Sequence, residues 1–88
     1  MDFYGKVKEI LDPVQGQGPK GLWVRQTIVL ESFDNPDIIL ALDTLNERCE
    51  KLQGLKPNMA VKASFGVQSR KGDKGYFTSA NLWDIQKL

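Results

Sequence analysis

Residues 38–54 read IILALDTLNERCEKLQG, and their interpretation decides the fold. Ile38 to Leu42 is a short, nearly all-apolar run, which predicts a third strand. Thr44-Leu45-Asn46-Glu47 then has the form of a capping box: the threonine hydroxyl accepts from the Glu47 amide and the glutamate reaches back to the cap. A helix is expected to start there. Leu45, Cys49 and Leu52 fall at i, i+4 and i+7, Glu47 and Lys51 can pair at i, i+4, and Gly54 supplies a left-handed stop. The helix is therefore short and lies on a core, and Cys49 reads as a small buried apolar residue.

Outward from this segment, everything else is strand or turn. From Phe3 to Leu11, Phe3, Gly5 and Val7 alternate with Tyr4, Lys6 and Lys8 until the parity slips at Ile10, which predicts a half-buried strand with a bulge. Asp12 to Gly21 holds two prolines and three glycines without an apolar period, and reads as a loop. Leu22 to Glu31 predicts a second strand with Val24, Ile28 and Leu30 on one face and Trp23, Arg25, Thr27 and Val29 on the other. Ser32 to Pro36 is turn chemistry. Beyond the helix, Lys56-Pro57-Asn58-Met59 is a turn with proline second. Val61, Ala63, Phe65 and Val67 then alternate with Lys62, Ser64 and Gly66 in a fourth strand. Ser69 to Gly75 reads as a basic hairpin loop, and Tyr76 to Ile85 as the last strand.

Three strands, a helix and two strands match a mainly β fold: the five-stranded Greek-key OB-fold barrel, with one short helix between strands 3 and 4. An open α+β sheet is the alternative. With 88 residues the chain forms a single domain, residues 1–88. A domain of that size buries only about 60 to 65% of its unfolded surface, which disfavours a deep cleft between lobes.

Composition narrows the chemistry. The chain has no histidine and one cysteine, so imidazole bases, histidine-containing triads, histidine metal ligands and internal disulfides are all closed to it. No two carboxylates are spaced for a shared acid and base role, and the expectation is a non-catalytic protein without cofactor or metal. No apolar run approaches the roughly 20 residues that span a bilayer, and Met1 to Lys6 lacks the order of a signal peptide. A cytoplasmic location is expected. The net charge of +1 hides a polarity: residues 31–50 carry one basic and six acidic side chains, whereas residues 51–88 carry seven and two. That distribution suits either a mixed soluble surface or a basic patch facing a polyanion.

Gly16-Gln17-Gly18-Pro19-Lys20-Gly21 fits G-x-G-x-x-G, the dinucleotide fingerprint, but a strand follows it where the fingerprint needs a helix N-terminus. The segment reads instead as a loop carrying Lys20, one of the two loops with which OB folds clasp oligonucleotides, or as a plain connection. Trp23 and Arg25 share the outer face of the second strand, where stacking of bases and neutralisation of phosphates would act together. A tryptophan at a strand start equally covers a barrel end or a subunit contact. Arg70, Lys71 and Lys74 crowd the last hairpin, with Tyr76 and Phe77 immediately after. They form either the second clasp or an ordinary soluble tip. Trp83 reads first as core or dimer contact, with its parity subject to any bulge.

Gly5-Lys6-Val7, Gly18 to Val24 with Lys20-Gly21 and Trp23, Gln26 to Glu31, and Val67-Gln68-Ser69-Arg70 leading to Gly75-Tyr76-Phe77-Thr78 and Trp83 cover nearly the whole chain. Together they resemble a family of short bacterial OB-fold domains of unknown function. That architecture is similar to the single-stranded-DNA-binding protein and to primosomal replication protein N. The chain departs from the replicative binder in lacking a long acidic C-terminal tail and in carrying fewer aromatics on the candidate strands. The resemblance implies a fold, and by analogy a function: binding of single-stranded nucleic acid, DNA before RNA, with weak sequence preference. The residues expected to carry it are Lys20, Trp23, Arg25, Arg70, Lys71, Lys74, Tyr76 and Phe77. A second copy of the chain and a replication or repair protein are further candidate partners. The alternative is a protein-interaction module or homo-oligomeric adaptor that binds no nucleic acid, with a small-ligand or oligosaccharide-binding barrel as a third option.

Overall fold

Val7, Ile28, Leu30, Leu42, Val61, Ala63 and Leu82 are sealed from solvent, and each occupies the inward parity of a strand. The computed structural model describes all 88 residues. They form six strands and one short 3₁₀ helix, Asn46–Leu52: β1 (Asp2–Ile10), β2 (Val14–Gly18), β3 (Gly21–Ser32), β4 (Ile39–Leu45), β5 (Ala60–Gly72) and β6 (Gly75–Lys87). No helix is long and apolar enough to cross a membrane.

The strands make one sheet in the order β1-β5-β6-β4-β3-β2, and β1 also pairs with β3. Gly5 of β1 thus faces Val61 of β5 on one side and Ser32 of β3 on the other. Five strands consequently form a closed ring of pairings, while β2 stands outside it and pairs only with β3. The ring closes at its narrowest seam where β4 and β6 run parallel and meet in a single pair, Asp43 with Asn81. Leu52 from the 3₁₀ helix and Leu55 just after it join the strand residues in one core.

Two irregularities bend the sheet. Register shifts between Val7 and Glu9 against β3, so Lys8 is the extra residue that the parity slip at Ile10 announces. A second shift separates Ser64 and Phe65 of β5 from Asp84 and Leu82 of β6, leaving Trp83 as the extra residue. Bulges of this kind increase local twist and re-aim a side chain. At Trp83 the effect is to place a large ring on the outer surface, 52% exposed, rather than in the core.

Two segments differ from their sequence reading. Asp12 to Gly21 is not merely a loop: Val14–Gly18 pairs with β3 from Val14↔Arg25 to Gly18↔Gly21, closing on a two-residue turn, Pro19-Lys20. Glycine-rich β2 lacks the alternating apolar face that marks a strand in sequence, because it has no core to cover. The helix is 3₁₀ rather than α, and the capping box does not form. Thr44 remains in β4, buried, with its hydroxyl donating to the Gln26 carbonyl at 2.8 Å. The chain turns at Asn46, whose φ of +51° is a conformation asparagine tolerates, and the Asn46 Oδ1 accepts from the Val24 amide at 3.0 Å. In a 3₁₀ helix i and i+3 eclipse. Cys49 and Leu52 therefore share a face while Leu45 stays exposed on β4, and Lys51 pairs with Asp84 of β6 at 3.1 Å instead of Glu47. Cys49 itself is half-buried, its Sγ 3.3 Å from the Thr44 hydroxyl and 3.8 Å from the Val24 carbonyl.

The last hairpin also extends further than expected. The β5–β6 ladder continues through Arg70↔Phe77 and Lys71↔Tyr76 to Gly72↔Gly75, so only Asp73 and Lys74 form the turn. Burial in β5 ends at Phe65, and the rest of the hairpin projects beyond the core.

Candidate functional site

On β3 the parity that sends Ile28 and Leu30 inward sends Trp23, Arg25 and Thr27 outward. Register carries that outer face across the sheet: Arg25 pairs with Leu45 and Thr27 with Asp43 on β4, and Asp43 pairs with Asn81 on β6. Along the β5–β6 hairpin, Gly66↔Asn81, Gln68↔Ser79 and Arg70↔Phe77 continue the same face. The result is a groove of about 450 Å³ whose walls include Trp23 and Arg25 at one end and Arg70 and Phe77 at the other, with Asp43, Leu45 and Asn81 between them. A second depression of about 420 Å³ shares Asp43, Leu45, Arg70 and Asn81 and adds Arg48 and Trp83. A third, smaller one of about 320 Å³ joins Lys20 and the β2–β3 turn to Trp23. The three are contiguous.

Each aromatic ring on this face lies over a glycine. A Cβ on Gly16 would run into the six-membered ring of Trp23, one on Gly66 into that of Trp83, and one on Gly72 into the ring of Phe77. Gly16 is the direct cross-strand partner of Trp23, and the β5–β6 bulge sets Trp83 beside Gly66. A ring laid on a bare backbone is supported from below; Phe77 and Trp83 are exposed above that support and Trp23 is half-buried. The glycines of β2 and β5 thus serve the aromatics rather than the turn.

The electrostatics are mixed and open. The two ion pairs of the protein, Lys6–Glu31 at 3.4 Å and Lys51–Asp84 at 3.1 Å, involve none of the groove residues. Arg25, Arg48 and Arg70 are therefore cations without an acidic partner. Of the six acidic residues in 31–50, only Asp43 lines the groove. Its Oδ1 accepts from the Thr27 hydroxyl at 2.5 Å, which orients the carboxylate without neutralising it. Asp84, just outside, is held below the usual carboxylate range by the hydrogen bond from Lys51, then by the Ile85 amide and the Lys51 charge. No three Cys, Asp or Glu side chains converge to hold a metal ion.

Of the residues singled out from sequence, Trp23, Arg25, Arg70 and Phe77 come together in the groove, and Lys20 adjoins it through Trp23. Lys71 and Tyr76 pair with each other one step along the hairpin from Arg70 and Phe77, so they occupy the opposite face. Lys74 lies in the turn. Sequence reasoning missed Asp43, Arg48 and Asn81 as groove residues, and it read Trp83 first as core or dimer contact, whereas the bulge sets it on the outer surface. Pairing of Thr27 with Asp43 would have given Asp43 away, since a threonine facing outward beside Arg25 needs a strand neighbour of the same parity.

A comparison with curated proteins finds none that matches this chain. A family model described as Domain of unknown function (DUF3127) does match, over residues 2–86, and the chain belongs to that family.

Proposed function

We propose that this chain is an OB-fold protein that binds single-stranded nucleic acid across the groove between the β2–β3 turn and the β5–β6 hairpin. The carrying observation is that Trp23, Phe77 and Trp83 rest on glycines along a groove also lined by three unpaired arginines, with Phe77 and Trp83 exposed and Trp23 half-buried. Bases stack on such rings with about 1 to 3 kcal/mol each, almost regardless of sequence, while guanidinium groups neutralise the phosphates between them. The fold half of the reading rests on the ring order β1-β3-β4-β6-β5 with its one parallel seam, which is the Greek-key order of an OB fold once β2 is set aside as a hairpin insertion. On that mapping the β2–β3 turn and the β5–β6 hairpin are the two loops that flank the binding face. DNA is put ahead of RNA on the resemblance, read from the sequence, to OB-fold single-stranded-DNA-binding proteins.

The test is quenching of tryptophan fluorescence on titration with a dT oligonucleotide of about 20 nucleotides, at salt from about 20 to about 300 mM. Saturable quenching that weakens with salt is expected, with a log–log slope of about −0.7 for each phosphate neutralised. No binding at the lowest salt refutes the proposal.

One observation favours a second reading, docking of another protein. Leu22 and Leu45 beside the same face are 79% and 54% exposed. Light scattering with and without cross-linking separates the two, because a dimer closed over Leu22 and Leu45 covers Trp23 and abolishes quenching by dT.

A further inference from the structure

The groove contains one feature that phosphate neutralisation and stacking do not use. Asp43 is an uncompensated carboxylate on a face proposed to receive a polyanion, and it lies at the centre, lining both principal depressions. Trp23 and Phe77 line the first of these and Trp83 the second, so each of the three rings borders a depression that Asp43 also lines. The Thr27 hydroxyl donates to Oδ1 and fixes the carboxylate, leaving Oδ2 and the remaining lone pair of Oδ1 to accept from a ligand. Across the β4–β6 seam, the directly paired Asn81 adds an amide that can donate or accept.

A carboxylate accepts through both oxygens only from two adjacent N–H groups. Among the bases, the Watson–Crick edge of guanine alone presents such a pair, N1–H beside the N2 amino group, with O6 next to them as an acceptor. Cytosine and adenine each offer one amino group beside an acceptor nitrogen, and thymine one N–H between two carbonyls. We propose that Asp43, with Asn81 donating to O6, reads a guanine at one position of an otherwise sequence-tolerant single strand. The charge that would repel phosphate is retained because an unpaired base, turned edge-on, supplies the two donors that satisfy it. This inference rests on the nucleic-acid reading of the groove.

Equilibrium titrations would use dT of about 15 nucleotides, the same strand with one central dG, and the same strand with one central inosine, which lacks the N2 amino group. A single guanine also avoids quadruplex formation. The expected result for the parent is about tenfold tighter binding of the dG strand than of dT, at the lower end of what a bidentate base contact supplies, with most of that gain lost for inosine. Asp43→Asn keeps an acceptor for Thr27 and should fold, as thermal melting will show. It should bind dT at least as well as the parent and lose the preference for dG. Asn81→Ala should narrow the ratio of dG to dT affinity measured within that variant. Binding of all three strands with equal affinity, or equal tightening of all three by Asp43→Asn, overturns the guanine assignment and leaves the groove reading intact. Absence of binding to every strand overturns both.

Discussion

Gly16→Ala tests whether the aromatic platform is built as described. Gly16 does not have a positive φ, so alanine fits its backbone, and in the absence of the ring the substitution would stabilise the fold by about 0.4 to 1 kcal/mol through the unfolded chain. The Trp23 ring reverses that sign. The new Cβ would occupy the space of Cζ2, Cε2 and Cη2, so the ring must lift off β2. One ring face covers roughly 60 Å², about a third of what a buried aromatic contributes. At about 25 cal/mol per Å² its loss costs about 1.5 kcal/mol. The net is a destabilisation of about 0.5 to 1 kcal/mol, or roughly 2 to 8 °C in Tm for a domain of this size. Because β2 lies outside the ring of five strands, the core should survive and the change should be confined to one hairpin. Gly18→Ala is the internal control: its Cβ would stand 3.5 Å from Trp23 Cδ1, an ordinary contact. Tryptophan emission, near-ultraviolet circular dichroism and dT binding should then change in the Gly16 variant and not in the Gly18 variant. Binding should fall by about 5- to 100-fold, the share of one stacked base. Equal behaviour of the two variants, or a more stable Gly16→Ala protein with unchanged emission, refutes the platform.

Two further predictions concern the scaffold. Thr44→Val removes the hydroxyl that donates to the Gln26 carbonyl while filling the same space, so it should cost about 1 to 3 kcal/mol in chemical denaturation, and an unchanged midpoint would dismiss the strand-tying role. The Asp84 carboxyl is held low in the folded state. Its pairing with Lys51 therefore stabilises the fold above the unfolded-state value of about 3.9, and this contribution is lost as pH falls through the lower folded value. Carboxyl NMR should show Asp84 titrating below the ordinary aspartate range in the parent and rising toward it in Lys51→Met; the absence of any rise would show that Lys51 is not the main cause.

Much of the ring was legible in sequence because alternation reports burial. Val61, Ala63 and Phe65 announce the inward face of β5, and the slip at Ile10 announces the bulge after Val7. What was illegible follows from the same rule. β2 covers no core, so its residues carry no alternation, and its pairing with β3 is visible only once Trp23 is seen to need a glycine beneath it. The capping box failed because Thr44 has a stronger use. As the one buried polar residue, it satisfies its hydroxyl on β3, and the turn it would have opened is taken over by Asn46. The candidate site was half legible for the reason that parity can be read along a strand but not between strands. Trp23 and Arg25 share a strand and were grouped correctly, whereas Asp43 and Asn81 join them only through register.

Parity also separates two cations that the sequence places side by side, and that separation is testable. Arg70 pairs with Phe77 on the groove face, and Lys71 pairs with Tyr76 on the reverse. Read as composition, the hairpin is one basic tip in which Arg70→Glu and Lys71→Glu should be equivalent. Read as structure, only Arg70 can touch a phosphate of a strand lying in the groove. A charge-assisted contact contributes about 1.5 to 3 kcal/mol, so Arg70→Glu should weaken dT binding by at least about tenfold and make the salt slope shallower by about 0.7. Lys71 acts only through space across a screening length of about 10 Å at 0.1 M salt. Its reversal should therefore change affinity less than about threefold and leave the slope near its parent value. Equal losses in the two variants would mean that the strand wraps the hairpin tip instead of lying along the sheet. In that case the glycine-supported rings of Trp23 and Trp83 would have to be explained without a nucleic acid.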